Sequence, residues 1–168
     1  MANGAMHVSA AGMTAIRHRE GAVMHYYNDS AGNCTYGVGT LAHHGRCTAA
    51  ELAQPVTSAA VNQQLAGRVH MAAADVRRAV THSTLTQAQF DALVSFTYNM
   101  GAHGAAPVLR AANQGRGTQV VRLMEQAVYV HPRDAHGRRL PARRSPGLVN
   151  RRRQEAAPFQ THTHGGRP

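Results

Sequence analysis

The chain has 168 residues, of which 43% are hydrophobic, so it can form one domain with a sizeable core, or a small sheet lobe beside a helical lobe, but not two independent domains. All eighteen basic side chains are arginine, and against eight acidic side chains they give a formal charge of +10. This excess favours an acidic polymer as partner; nucleic acid, lipid head groups and the anionic bacterial envelope all fit, and a purely solubilising role is the simpler explanation.

The amino end, residues 1–18, mixes polar residues with small apolar ones. It lacks the apolar stretch of about 7–15 residues that a signal peptide needs, and no later run approaches the roughly 20 apolar residues of a membrane span. We therefore expect neither an export signal nor a transmembrane segment. A target outside the inner membrane would then be reached through a membrane hole or by a secretion device.

The first elements are a helix and a small sheet. Ser9 is positioned to cap a helix that runs to about Arg19, with Glu20 on its apolar face and Gly21 suited to end it. Residues 23–41 are rich in aromatic and β-branched residues around a cluster of turn formers, which predicts a β-hairpin or a small three-stranded sheet. This is the only strand-like region of the sequence.

Beyond the sheet, apolar residues recur at helical spacing only. Thr48 and Glu51 have the spacing of a capping box for a short helix, which Pro55 ends. Further helices are predicted from Ser58 to about residue 80, from Thr84 or Thr86 to residues 99–101, over 105–113 and 118–128, and from Ser145 and Pro146 to about Phe159.

These elements predict a single α+β domain over residues 9–159. Its sheet lobe is expected at about residues 22–47 and its helical lobe at about residues 48–159. Three segments are expected to lie outside the packed core: a flexible amino end (1–8), an exposed connector rich in arginine and proline (131–146) and a disordered tail (160–168).

Two cysteines, Cys34 and Cys47, flank a glycine-rich segment. A disulfide that closes this short loop is sterically feasible. A pair of free thiols is the simpler alternative, and a zinc site formed by both cysteines with His43 and His44 is a third, favoured by spacing alone.

Glu20 and Asp29 stand out among the eight acidic residues. Glu20 ends the first helix, where the negative end of the helix macrodipole disfavours an ionised carboxylate, and Asp29 lies in the turn of the following hairpin. A protonated acid that faces a second carboxylate is the arrangement that hydrolyses a glycosidic bond. This pair is therefore the candidate for the acid and its partner.

The strand predicted from Cys34 to Thr40 carries a further pattern. Alternation places Thr35, Gly37 and Gly39 on one face, so that a hydroxyl is followed by two positions without a side chain. A sugar ring could lie close against such a backbone. A bulge or tight bend explains a Gly-x-Gly sequence at least as well.

The spacing of Glu20-Gly21, Asp29 and Thr35, with eight residues between the two acids and five before the threonine, resembles the signature of the phage-type lysozymes, a family of glycoside hydrolases. The resemblance implies a lysozyme-like α+β fold in which an active-site cleft lies between a small antiparallel sheet lobe and a larger helical lobe. Similarity to the family extends over residues 27–39, 85–101 and 147–159, and so over about residues 9–159 in all.

The resemblance also implies the reaction. An endolysin-type muramidase hydrolyses the β-1,4 bond between N-acetylmuramic acid and N-acetylglucosamine in peptidoglycan and thereby lyses the cell. Glu20 would protonate the leaving oxygen, while Asp29 and Thr35 would hold the attacking water, or Asp29 would stabilise the positively charged sugar. The family favours inversion, a monomer, and no cofactor or metal.

Four further positions are assigned by the resemblance. Gly37, Gly39 and Asn99 would contact the glycan, and Arg151 would pair with the acid. A helix C-cap is an equal alternative for Asn99, and a solvated surface arginine is one for Arg151. Thr40 departs from the family, which often has a histidine there that supports the lobe junction; we expect this departure to affect stability or pH response rather than cleavage.

Two other functions remain open at this point. In a cationic protein that binds the envelope or perturbs membranes, the arginine-rich segment 133–153 would act and the lysozyme-like domain would be inactive. A nucleic-acid binder is supported by charge alone, since the sequence has no phosphate-binding loop, zinc-finger spacing or aromatic-rich strand for base stacking. Loss of the Glu20 carboxyl would separate catalysis from charge-driven binding.

Overall fold

The computed structural model describes residues 2–29, 32–130, 138 and 140–160. Contacts divide the chain into two units: Val8–Met71, and Met1–His7 together with Ala72–Pro168. The first unit carries an antiparallel sheet and the second is mostly helical, which confirms the α+β prediction. No helix among the described residues is both long and apolar enough to cross a membrane.

The sheet unit begins with helix α1, Ala10–Arg19, whose cap is Ser9 as predicted: its Oγ accepts a hydrogen bond from the Gly12 N–H at 3.0 Å. Ile16, which is fully buried, anchors the helix in the apolar core of the unit. Gly21 has a φ of +64°, a value that favours glycine, and it turns the chain from the helix into the sheet.

Three short strands form the sheet in the order β1-β2-β3: Val23–Asn28, Cys34–Gly37 and Thr40–His43. All pairs are antiparallel, and the register places Tyr27 opposite Thr35. Helix α2, Ala49–Ala53, follows with the predicted capping box between Thr48 and Glu51. Helix α3, Ser58–Ala79, then runs from this unit into the second.

The helical unit is built on α4, Gln87–Asn113, which packs against α5, Gly117–Gln126, and α6, Pro146–Ala156. Thr86 caps α4, and Gly101 interrupts it with φ +71° and ψ 164°, at the point where the sequence predicts the helix to end. A 3-10 turn, Ala157–Phe159, completes the last predicted helix. The largest fully buried apolar side chains of α4 and α5 are Phe90, Phe96, Leu93, Met124 and Val94.

The expectation of a flexible amino end is wrong for Asn3, which is 1% exposed. Its amide nitrogen donates to the Val80 and Ser83 carbonyl oxygens at 2.8 Å each, and its amide oxygen accepts from the Leu85 N–H at 3.0 Å. A single side chain thus satisfies three backbone groups in the loop between α3 and α4. This hydrogen bonding holds the amino end in place.

A second, two-stranded ladder reaches into the region predicted as an exposed connector: β4, Tyr129–Val130, lies directly before that region and pairs with β5, Arg143–Arg144, within it. The prediction that strands occur only in residues 23–41 is therefore wrong. The two arginines of β5 are exposed, as expected for this region. Residues 131–137, residue 139 and the tail 161–168 lie outside the described residues.

Candidate active site

Glu20 occupies the end of α1 in the sheet unit. It is the C-cap residue, its backbone N–H donates to the Ile16 carbonyl oxygen at 2.9 Å, and it is half-buried. The preceding Arg17, His18 and Arg19 form the basic last turn of the helix. The buried Ile16 side chain and the turn at Gly21 fix the backbone on both sides of the acid.

Asp29 and Thr35 are brought together by the first hairpin. The Thr35 hydroxyl donates to Asp29 Oδ2 at 3.2 Å, and the backbone N–H of Asn33 donates to Asp29 Oδ1 at 2.9 Å. Thr35 is only 3% exposed, so its hydroxyl is held against the carboxylate by the packing of β2 between β1 and β3. The carboxylate is therefore fixed in orientation through both of its oxygens.

Asn33 is a residue of the site that the sequence analysis missed. Its carbonyl oxygen accepts from the Asp29 N–H at 2.9 Å, and its side-chain oxygen accepts from the Gly45 N–H at 3.2 Å. An aspartate followed four positions later by asparagine, with Gly32 (φ +81°) between them, is a turn signal that could have indicated this role. Asn33 thus closes the loop that positions Asp29.

The predicted face of alternating residues ends early, because β2 ends at Gly37 and the chain turns through Val38 and Gly39. A Cβ at Gly37 would lie 2.0 Å from Gln64 Oε1, which accepts a hydrogen bond from the Val38 N–H at 3.2 Å. The missing side chain at Gly37 thus makes room for Gln64. Gly39, with φ +85°, has no atom within 4 Å of such a Cβ, and its contact with a glycan stays a prediction.

Asn99 lies in α4 of the helical unit, two residues before the break at Gly101. Its side chain does not cap the helix: Asn99 Oδ1 accepts a hydrogen bond from the guanidinium of Arg152. Because a guanidinium can only donate, this contact fixes which end of the amide is the oxygen. The amide nitrogen of Asn99 is therefore oriented away from Arg152.

Arg151 is not a solvated arginine, since it is 8% exposed. Its Nε donates to Glu155 Oε1 at 3.0 Å, and a terminal nitrogen donates to the Ser95 carbonyl oxygen at 3.2 Å. The hydroxyl of Ser95 also donates to Glu155 Oε1, at 2.6 Å. The pairing of Arg151 with Glu20 stays a prediction.

Arg152 was not singled out by the sequence analysis, although its spacing of three residues from Glu155 suits an ion pair on one helix face. It is fully buried and donates to Glu155 Oε2 at 2.6 Å and to the Ala127 carbonyl oxygen at 3.0 Å. Its guanidinium carbon lies 4.6 Å from the ring centroid of Phe96. Burial lowers the pKa of Arg152, and the charge of Glu155 opposes that shift.

The two cysteines form a disulfide, with 4.6 Å between the Cα atoms of Cys34 and Cys47. Of the two histidines weighed as zinc ligands, His43 directs Nε2 at Glu51 Oε1, 2.9 Å away, whereas His44 contributes its carbonyl oxygen, 3.0 Å from His43 Nδ1. Glu51 is a participant in this cluster that the sequence analysis assigned only to a helix cap.

Comparisons with known proteins identify the family of the chain. The sequence model described as "Phage lysozyme" matches residues 17–155. The endolysin of Bacillus phage PZA is 32% identical over 160 residues, which are 94% of this chain and 57% of that protein, so the chain spans little more than half of this relative. The endolysin of Escherichia coli O157:H7 phage FAHEc1 has a similar structure, with a TM-score of 0.68, 32% identity, and coverage of 93% of this chain and 94% of that one.

A second similar structure is the muramidase domain of SpmX from Asticaccaulis excentricus. Its TM-score is 0.67 at 28% identity, and the match covers 92% of this chain and 98% of that domain. The similarity therefore extends over nearly the whole chain, and the matched range of the family model includes Glu20, Asp29 and Thr35.

Proposed function

The chain belongs to the phage lysozyme family, and we propose that it is a muramidase of the endolysin type that hydrolyses the β-1,4 bond between N-acetylmuramic acid and N-acetylglucosamine in peptidoglycan. The observation that carries this proposal is the hydrogen bond of 3.2 Å between the Thr35 hydroxyl and Asp29 Oδ2. It joins a carboxylate and a hydroxyl at the positions where the family signature places them after Glu20.

In the proposed reaction Glu20 is the general acid. Its carboxyl proton passes to the glycosidic oxygen as the bond to the anomeric carbon breaks, so that the leaving sugar departs as an alcohol. Glu20 ends the step as a carboxylate.

Asp29 and Thr35 prepare the water. The hydroxyl proton of Thr35 is donated to Asp29, so the hydroxyl oxygen is left to accept one proton of a water molecule while Asp29 accepts the other. Such a water directs its lone pair at the anomeric carbon, and Asp29 takes a proton from it as the new bond forms. The attack comes from the face opposite Glu20, so the product is inverted.

The helical unit supplies the proposed glycan contact through Asn99. Since Arg152 fixes Asn99 Oδ1 as the acceptor, the group that Asn99 offers to a glycan is its amide N–H. The acetamido carbonyl oxygen of an N-acetylated sugar is a matching acceptor. Arg152 is thus a positioning residue that the resemblance did not assign.

The cell wall is the proposed place of action, and passage through a membrane hole or a secretion device would bring the enzyme to it. The formal charge of +10 attracts the protein to the anionic envelope by long-range electrostatics. A single chain carries Glu20, Asp29 and Thr35, so we propose a monomer.

The test is hydrolysis of purified peptidoglycan, with the products identified by mass spectrometry. New reducing N-acetylmuramic ends are expected, and Glu20→Gln should abolish them while leaving sedimentation with cell walls unchanged. Glu125→Gln, which removes the same charge from the exposed face of α5, should retain activity. Peptide-bond products, or lysis retained by Glu20→Gln, would refute the proposal.

A further inference from the structure

A cluster of metal-ligating side chains lies in the sheet unit, around the disulfide. One donor atom from each of Cys34, His43 and Glu51 lies within 4.8 Å of the other two, and Cys47 Sγ is bonded to Cys34 Sγ. Two sulfurs, an imidazole and a carboxylate are a ligand set that Zn²⁺ accepts in tetrahedral geometry. We propose that, when the disulfide is reduced, Cys34, Cys47, His43 and Glu51 bind one zinc ion.

The groups around the ligands support a zinc site more specifically than the ligands alone. Zinc-bound histidines usually donate their second ring N–H to a carbonyl or carboxylate, and zinc-bound carboxylates are themselves hydrogen-bonded. His43 Nδ1 lies 3.0 Å from the His44 carbonyl oxygen, which can only accept, so Nδ1 carries a proton and Nε2 is the ring nitrogen available to a metal.

The carboxylate of Glu51 is supported in the same way. Its Oε2 accepts from the backbone N–H and the hydroxyl of Thr48 at 2.7 and 2.8 Å, which leaves Oε1 facing His43. These bonds to Thr48 lower the pKa of Glu51, while the bonds to the His44 carbonyl and to Glu51 raise the pKa of His43. His43 Nε2 and Glu51 Oε1, 2.9 Å apart, are the two atoms that a cation would join.

The two thiols are held near each other by contacts other than the S–S bond. The backbone N–H of Cys34 donates to the Gly45 carbonyl oxygen at 2.8 Å, and the backbone N–H of Cys47 donates to Asn28 Oδ1 at 2.8 Å. Neighbouring ligands of tetrahedral zinc lie about 3.3–3.8 Å apart. The donor atoms of Cys34, His43 and Glu51, which lie within 4.8 Å of one another, therefore need to move by only about 1–2 Å, which rotation of the side chains provides.

As the disulfide becomes two thiols, it takes two electrons and two protons either from a dithiol, which is oxidised to its own disulfide, or from a phosphine and water, which become the phosphine oxide. Zinc binding then releases one proton from each thiol, and His43 binds through the Nε2 atom of its neutral imidazole. In a reducing compartment the zinc site would connect β2, β3 and the start of α2. In an oxidising compartment the disulfide connects β2, through Cys34, to Cys47 just before α2.

The test uses the full chain, reduced with a phosphine and kept free of oxygen, and titrated with Co²⁺ and then Zn²⁺. One equivalent of Co²⁺ should give the thiolate-to-cobalt absorption and the intense visible bands of four-coordinate cobalt, and Zn²⁺ should remove both. The oxidised protein should show neither. The readout does not depend on peptidoglycan hydrolysis, so it is independent of the proposed enzyme activity.

Variants identify the ligands. His43→Gln and Glu51→Gln should each weaken zinc binding by more than the roughly 10- to 100-fold that loss of an outer partner costs, and glutamine at position 51 keeps the capping box. His44→Gln is the matched control, because it changes the neighbouring imidazole and keeps the carbonyl, and it should bind zinc as the parent does. Circular dichroism checks that each variant folds.

Three results would overturn the proposal: six-coordinate cobalt in the reduced parent, equal zinc affinity of the parent and His43→Gln, or a loss in His44→Gln as large as in His43→Gln. Binding that depends on the cysteines alone, unaffected by both His43→Gln and Glu51→Gln, would show an adventitious dithiol and would also count against the site.

Discussion

The buried ion cluster of α6 gives the sharpest prediction of stability. Glu155 is fully buried and accepts hydrogen bonds from Arg151, Arg152 and Ser95. Glu155→Gln removes the one negative charge that faces two buried guanidinium groups, and the amide NH₂ group then meets a donor where the carboxylate offered an acceptor. We expect a large loss of stability from a change of almost no volume.

The magnitude follows from the burial of the partners. Removal of one member of a buried ion pair costs roughly 3–5 kcal/mol, which is a large part of the about 5–15 kcal/mol that stabilises a typical domain. Because about 2–4 °C of melting temperature corresponds to 1 kcal/mol in a chain of this size, the melting temperature should fall by roughly 6–20 °C. Thermal and urea denaturation, followed by circular dichroism, measure both quantities.

The matched control is Asp75→Asn, which breaks the ion pair with Arg78 in α3. The Arg78 side chain is 72% exposed, so water screens this pair and the cost should stay below about 1 kcal/mol. If Glu155→Gln costs no more than Asp75→Asn, the cluster does not stabilise the helical unit in the way that its burial implies.

Three further predictions concern single contacts. Thr35→Val should reduce turnover by about a hundredfold, because it removes the hydroxyl that orients water, whereas Thr35→Ser should retain most of the turnover. Equal initial rates of reducing-end release by the valine variant and the parent would contradict the role of Thr35 in orienting water. Gly37→Ala should lower the free energy of unfolding by about 2–3 kcal/mol, since it adds a clash with Gln64 to the cost of a positive φ. Gly39→Ala, whose Cβ would have no atom within 4 Å, should lower it by only about 1–2 kcal/mol. Equal losses of the two variants in urea denaturation would show that the contact with Gln64 is irrelevant. Asn3→Ala should cost about 1–3 kcal/mol, because it leaves buried backbone groups unpaired, and unchanged hydrogen exchange in residues 80–85 would contradict that reading.

Elements that depend on short-range hydrogen bonds were predictable from the sequence. Ser9 caps α1 and Thr86 caps α4, and the capping box of α2 forms between Thr48 and Glu51. Each of these caps involves residues three positions apart, so its pattern is visible in the sequence itself. The helix break at Gly101 was predictable for the same reason, since a positive φ selects glycine locally.

The contact between Asp29 and Thr35 was also predictable, because a single hairpin determines it. Asp29 and Thr35 meet because β1 and β2 pair antiparallel, with Tyr27 opposite Thr35 and Asn28 opposite Cys34. The predicted strand from Cys34 to Thr40 is too long, because an alternating pattern continues to predict a strand after the chain has begun to turn. Gln64, which fills the space beside Gly37, lies far along the sequence in α3. Periodicity does not contain that information.

Long-range polar contacts could not be predicted from the sequence either, because their partners lie far apart along the chain. Asn3 bonds to residues about eighty positions away, and Arg152 bonds to Asn99 across α4 and α6. Arginine and asparagine are usually exposed, so composition favours the surface for both. Only the packing of helices that are distant in sequence makes these side chains internal.

The burial of two arginines changes the interpretation of the charge. The segment 133–153 suggested a cationic surface for envelope binding, yet Arg151 and Arg152 are buried and share Glu155, whereas Arg153 and the β5 arginines are exposed. A buried guanidinium adds to the long-range field but cannot form the direct contacts with phosphate or carboxylate that hold a protein on a surface. Within the described part of the segment, the arginines therefore serve two purposes: the exposed ones can attract the enzyme to an anionic wall, and the buried pair holds α6 and the amide of Asn99 in position.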